Sequence, residues 1–425
     1  ILQLLFNAAD IIVVGHFAGR ESLAAVGSTT ALINLMINVF VGLSIGANVL
    51  VAQYSGAKKL KDLEETVHTA MMIALAGGFL LIFVGVFFSG PMLGLMGTPD
   101  DVLPLAALYL KIYFIGMPAT LTYNFGAAIL RAVGDTRRPL YFLLFAGAVN
   151  VVLNLVFVIV FSMGVAGVAT ATVVSECISA VLIVQCLARS DSAYRLCREK
   201  MRITESKVKQ IMKIGLPAGF QGAIFSVSNV LIQSSINSFG SIAMAGSTAS
   251  ANVEGFVYNA MNAVYQTTLS FTSQNYGVKK LKRMDRVLID CAILSVVVAL
   301  GLGSIAYFFG PELLHIYSEQ ADVIACGMEI LSYTTMTYFL CGLMDLFPGA
   351  LRGMGYSTVP MILSIIGTVG LRIVWIFGIF PAHRSLKVLF ISYPASWIIT
   401  IIMQVTCFWF VRRKVHRQLL GETAE

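Results

Sequence analysis

Apolar runs of about 20 residues alternate with short polar stretches along this chain, and each run is long enough to cross ~30 Å of hydrocarbon as a helix. They fall near 1–15, 29–53, 68–89, 104–130, 139–161 and 165–188, and again near 214–239, 248–275, 287–309, 325–351, 359–380 and 388–411. The pattern predicts an all-α integral membrane protein with twelve transmembrane helices in two six-helix lobes. The expected divisions are an N-terminal lobe at 1–188, a cytoplasmic linker at 189–213, a C-terminal lobe at 214–411 and a cytoplasmic tail at 412–425. The first run is short and opens on Ile1 inside an apolar stretch, so the first helix is expected to be truncated.

The two halves also repeat one another. Gln53 to Lys61 reads QYSGAKKLK, and Gln274 to Lys282, 221 positions later, reads QNYGVKKLK. The segment Leu130-Arg131-Ala132-Val133-Gly134 answers Leu351-Arg352-Gly353-Met354-Gly355, and Pro139 answers Pro360, at the same offset. Gly90-Pro91 against Gly310-Pro311 and Gly27-Ser28-Thr29 against Gly246-Ser247-Thr248 keep the order with small insertions. A period this long marks two similar lobes, not a solenoid. Six helices per copy return the chain to its starting side, so the lobes are expected to be parallel repeats about an axis along the membrane normal.

Composition agrees, with 57% hydrophobic residues, 12% charged residues and a mean hydropathy of +0.83. Of the 29 Lys and Arg, 24 lie in alternate loops and the tail, which by the positive-inside rule puts both termini in the cytoplasm. That asymmetry accounts for the net charge of +7 without a nucleic-acid partner. Linker 189–213 carries eight basic residues and three acids, the pattern of a solvated, phospholipid-facing segment. The seven Cys are scattered without a CxxC pair and read as small apolar fillers, with neither a disulfide framework nor a metal site.

Polar residues inside the spans are the candidate chemistry. Asp10 sits in an apolar run, where a carboxylate is costly unless it faces protein or water; it is functional, or it marks a span that begins nearer the interface. Its counterpart in the second copy is Asn229. Gly42-Leu43-Ser44-Ile45-Gly46 has the spacing of a hydrolase elbow, but it lies within one apolar helix, so Gly42 and Gly46 fit small-xxx-small helix packing. Pro118 invites a kink in the fourth span, ahead of Tyr123 and Asn124. Asn150 and Asn154 share a helix face and serve either interhelix hydrogen bonds or a polar cavity. Thr170 and Glu176 follow in the sixth span. In the eighth, Glu254 shares a face with Tyr258 near Asn252 and Asn259. Asp345, beside Pro348, is a third acid; Arg372 is a candidate salt partner, which would make that acid structural.

Two six-helix lobes, with Gln-Asn-Tyr-Gly at 274–277, Leu-Arg-Gly-Met-Gly at 351–355, Leu130 to Pro139, and Asp10 shortly before Val14-Gly15, resemble the multidrug and toxic compound extrusion (MATE) transporters. The resemblance spans nearly the whole chain. It implies a secondary antiporter that exports cationic or amphipathic organic compounds while Na+ or H+ runs inward; the chemistry of such exchange needs no cofactor, and a monomer is the expected state. It places Asp10, Asn150, Asn154 and Thr170 at the coupling ion, with Na+ at Asp10, Asn150 and Asn154 if that is the ion. Glu254 matches an acid of the bacterial branch. Tyr123, Asn124, Tyr258, Asp345, Gln53 and Gln274 complete the expected substrate cavity. Two departures bear on the ion: Phe225 and Ser226 follow Pro217 where another branch has an acid, and Asn154 replaces an Asp of some members.

Antiport needs a cavity that cation and substrate occupy in turn, each favouring a different face of the membrane. A dedicated metabolite exporter fits the same residues. A flippase for lipid-linked precursors would want cationic residues within the spans, where only Lys111 and Arg372 lie. A channel would not need acids in both lobes. An enzyme is disfavoured, because the five His at 16, 68, 315, 383 and 416 are isolated and no HExxH is present.

Overall fold

The computed structural model describes residues 13, 17, 20–95, 98 and 100–421. Asp10 and all of the first predicted span except Val13 lie outside them. The described residues form helices and turns with no strand. In chain order the helices are α1 (Arg20–Gly56), α2 (Leu60–Leu95), α3 (Leu103–Ile115), α4 (Met117–Ala132), α5 (Arg137–Leu155), α6 (Gly164–Ala188), α7 (Glu205–Asn237) and α8 (Ser241–Gly277). They continue as α9 (Leu281–Phe308), α10 (Gly310–His315), α11 (Ala321–Thr334), α12 (Tyr338–Gly353), α13 (Thr358–Ser364), α14 (Leu371–Val374) and α15 (Leu386–Gly421). Among the described residues nine helical segments are long and apolar enough to span a bilayer, and the bent pair α3–α4 makes a tenth. The 37-residue α8 is as long as α1 but is diluted by Ser, Thr, Asn and Glu254.

The chain divides into two compact units, Ile1–Gly219 and Phe220–Glu425. The division falls inside α7, and local packing gives the reason. Gly42 and Gly46 of α1 meet Gly215 and Gly219 of α7, two small-xxx-small faces in contact. A Cβ on Gly46 would lie 2.5 Å from the Ile211 carbonyl oxygen, and one on Gly215 would lie 2.6 Å from Leu43 Cα. The first half of α7 therefore belongs to the first unit.

Pro118 acts as its ring geometry requires: it occupies the first turn of a helix instead of an interior. The spans on either side bend by 49° at Gly116. Gly78 of α2 lets the two backbones touch at Pro118. In the second unit the corresponding break is a 3₁₀ turn at Thr335–Thr337, upstream of Pro348, which α12 accommodates in its interior.

The linker is a fastened strap. Cys197 N–H donates to Nε2 of buried His68 at 3.0 Å, and Nδ1 of the same ring contacts the Glu64 carbonyl oxygen at 2.8 Å, so the ring proton sits on Nδ1. Lys200 pairs with Glu64 at 2.5 Å, Arg202 with Glu65 at 3.5 Å, and Thr204 N–H donates to Thr69 Oγ1 at 3.2 Å. Buried Lys207 closes the row on Asp62 at 2.5 Å and lies over the Tyr54 ring, whose hydroxyl donates to Gln210 Oε1 at 2.7 Å. Replacing His68 by Ala strands the Cys197 amide, a loss of about 1–3 kcal/mol locally. Trypsin cleavage after Arg195 and Arg198 is then expected to speed up about tenfold, read by gel time courses against the wild type.

Candidate functional site

In the first unit the polar residues of α5 and α6 meet. Asn154 Nδ2 donates to Asn150 Oδ1 at 3.2 Å, and Asn150 Nδ2 donates to Thr172 Oγ1 at 3.4 Å. Both amides are almost fully buried. Thr170 turns back on its own helix, donating to the Ala166 carbonyl at 2.7 Å. Thr172, not Thr170, thus faces the amide pair. The two threonines are about 200° apart around the helix. The missed signal was the stripe Thr172, Ser175 and Ser179 at helical spacing, of which Ser175 and Ser179 are buried. Half-buried Glu176 lies within hydrogen-bonding range of Thr120 on α4. Tyr123 is buried and donates to the Pro139 carbonyl at 2.9 Å, a tie from α4 to the head of α5, while neighbouring Asn124 is partly buried.

In the second unit Glu254 of α8 sits at the helix break. One carboxylate oxygen accepts from the Thr334 hydroxyl at the end of α11, and the other from the Tyr338 hydroxyl at the start of α12, 3.3 Å away. An aromatic row backs Tyr338: its ring meets Trp397 at 5.6 Å, and Trp397 meets Tyr393 at 5.7 Å. Asp345 and Tyr258 face each other electrostatically across α12 and α8, and Tyr258 is 42% exposed. Gln53 and Gln274 occupy repeat-related places in the last turns of α1 and α8.

The candidate pairing of Asp345 with Arg372 does not form. Arg372 lies over the Tyr393 ring at 4.1 Å and donates from Nε to Ser396 at 3.4 Å, both on α15. The charge that acts on Asp345 is Arg352, whose own guanidinium donates to Tyr265 at 2.7 Å and Gln221 at 2.6 Å. The physical reason is a helical irregularity: a π-helical stretch, Ile365–Gly370, lies just before Arg372 and changes the face it presents. Among the described residues, no Lys or Arg forms an ion pair with Glu176, Glu254 or Asp345.

A half-buried carboxylate whose neighbours are neutral hydroxyls has lost part of its hydration without gaining a counterion. It is therefore a place where a cation, whether a proton, a metal ion or an organic ammonium, gains binding energy. Paired helical units carrying such acids within membrane-spanning helices define an integral membrane transport protein. The chain belongs to the MatE family, whose sequence pattern matches residues 1–156 and 217–377. It is 24% identical over 423 residues to the "Probable multidrug resistance protein YoeA" of Bacillus subtilis (strain 168), covering 97% of this chain and 91% of that one. It is 27% identical over 373 residues to the "Probable multidrug resistance protein YpnP" of the same organism, covering 87% and 83%. Its fold is similar, with a TM-score of 0.89 at 20% identity over 98% of this chain and 92% of the other, to the outward-facing conformation of a multidrug resistance MATE family transporter.

Proposed function

We propose that this protein is a secondary active antiporter that exports cationic or amphipathic organic compounds in exchange for Na+ or H+. The observation that carries the reading is Glu254, a half-buried carboxylate midway along α8 whose two oxygens accept hydroxyl hydrogen bonds from Thr334 and Tyr338. In this reading the second unit offers an organic cation the negative wall of Glu254 and Asp345, with the aromatic faces of Tyr258 and Tyr338 beside them. The coupling ion binds in the first unit at Asp10 with the Asn150, Asn154 and Thr172 set. Mutually exclusive occupancy then makes outward and inward access alternate. The distribution of Lys and Arg supports a multi-pass arrangement with both termini in the cytoplasm. Names of relatives such as YoeA and YpnP support drugs as the class of cargo.

The test is ethidium efflux from proteoliposomes under an imposed Na+ gradient and, separately, an imposed H+ gradient. Efflux driven by one gradient names the ion; failure of both, with ethidium and with other cations, overturns drug antiport in favour of a dedicated metabolite or lipid-linked cargo. Within the first unit, Thr172→Val is expected to weaken the dependence on the driving ion about tenfold, by loss of one hydrogen bond to the amide pair. Thr170→Val, which removes a hydroxyl bonded to the Ala166 carbonyl of its own helix, is expected to change it less than twofold. A titration of the efflux rate against the driving ion checks both.

A further inference from the structure

The duplicated turn diverges in one respect that the transport reading does not use. Both copies carry Lys-Lys-Leu-Lys at 58–61 and 279–282, but the first continues Asp62-Leu63-Glu64-Glu65 and the second Arg283-Met284-Asp285-Arg286. In the first unit the acids are engaged by the strap, at Lys207, Lys200 and Arg202. In the second unit the balance is reversed. Arg412 takes Asp285 in a two-pronged pair at 2.7 and 2.5 Å, and Arg286 pairs with Asp290 at 3.7 Å. This leaves Lys280, Lys282, Arg283, Arg413, Lys414 and Arg417 without a carboxylate partner among the described residues.

These residues gather at one end of the second unit. Met284 of α9 and Val415 of α15 share a buried cluster with Leu351 and Met354, so the head of α9 and the last turns of α15 are packed together. Just before this end the outer face of α15 is apolar, with Ile398, Ile402 and Val405 exposed, and it closes on exposed Trp409 and Phe410. The Arg413 guanidinium then lies over the Trp409 ring at 3.4 Å, and Lys414 stands 5.9 Å from the Tyr356 ring. An indole at the edge of an apolar belt marks the depth of lipid headgroups. Unpaired cations immediately beyond it stand where headgroup phosphates lie.

We infer that the basic end of the second unit, built from the turn before α9, the first turns of α9 and the last turns of α15, is a binding surface for anionic phospholipid headgroups. The first unit's copy of the same turn has exchanged that role for holding the strap. The contrast rests on charge complementarity and on continuity with the apolar belt; an acidic protein segment would match the charge but has no use for the belt beneath it.

The test compares lipids retained by the full chain after reconstitution in equimolar phosphatidylglycerol and phosphatidylcholine, measured by native mass spectrometry. The wild type is expected to retain phosphatidylglycerol about tenfold over phosphatidylcholine. The variant Lys280→Gln/Lys282→Gln/Arg283→Gln/Arg413→Gln is expected to lose that preference. The variant Lys58→Gln/Lys59→Gln/Lys61→Gln is expected to keep it, with both variants melting near the wild type in neutral detergent. An unchanged preference in the second-unit variant overturns the inference. So does equal loss in both variants, which would reduce the effect to net charge, or displacement of phosphatidylglycerol by micromolar polyglutamate, which would make the surface a protein dock.

Discussion

Glu254→Gln is expected to lower the initial rate of gradient-driven efflux about a hundredfold while leaving the protein folded. The substitution keeps the shape and lets the side-chain amide oxygen accept from Thr334 or Tyr338, but it removes the charge. A unit charge 4 Å from a bound cation is worth about 4 kcal/mol at an effective dielectric near 20. A loss of two-thirds of that already gives a factor of about a hundred. Stability should move the other way or not at all, because a half-buried carboxylate without a cationic partner costs desolvation in the folded state. The melting temperature in detergent is expected to stay within about 3 °C of the wild type or to rise. Tyr338→Phe, which removes one of the two donors and keeps the charge, should fall between. Efflux at the wild-type rate from folded Glu254→Gln protein would remove this residue from the mechanism and the proposed function with it.

The second large effect concerns assembly. Gly46→Leu is expected to lower the melting temperature by about 10 °C or to prevent folding altogether. The first atom added at Gly46 would already lie 2.5 Å from the Ile211 carbonyl oxygen and 3.0 Å from Gly215 N. Both neighbours are backbone, so no rotamer change relieves the clash, and an overpacking cost above about 3 kcal/mol follows. Gly301→Ala makes the opposite case. A Cβ there meets nothing within 4 Å, and removing a glycine from the interior of α9 is worth roughly 0.5–1 kcal/mol in the helix's favour. Thermal unfolding followed by size-exclusion fluorescence distinguishes the two signs. If Gly46→Leu melted with the wild type, the contact between α1 and α7 would not be the close one described.

Much of this was open to reading from residues alone, for identifiable reasons. Hydropathy periods are written into every spanning helix because lipid enforces them, so the runs that became α2, α5, α6 and α9 could be located directly. Gly42 and Gly46 announce a packing face, but nothing in the letters ties it to Gly215 and Gly219, which have the same spacing and prove to be its partners. What could not be read depends on rotation about a helix axis. A choice between Thr170 and Thr172 needs the face of α6 that meets α5. The supposed Asp345–Arg372 pair assumed an even helical pitch through residues 365–370, where the helix widens to a π form. The break that gathers Thr334 and Tyr338 around Glu254 carries no Pro or Gly of its own, and therefore no letter that signals it. Asp10 lies outside the described residues.

The lysines at the two duplicated turns bear on a different question, namely what selection has kept. Lys58 and Lys279 adopt φ values of 56° and 57°, a left-handed backbone that glycine enters freely and that costs a lysine roughly 1–2 kcal/mol. Each copy bears that cost at the same place, and Gly134 and Gly355, with φ values of 96° and 89°, show that glycine is used at another pair of repeat-related corners. The duplication has thus carried forward a backbone strain as well as a string of letters. At these two corners a positive charge is held against the conformational preference of the residue that bears it.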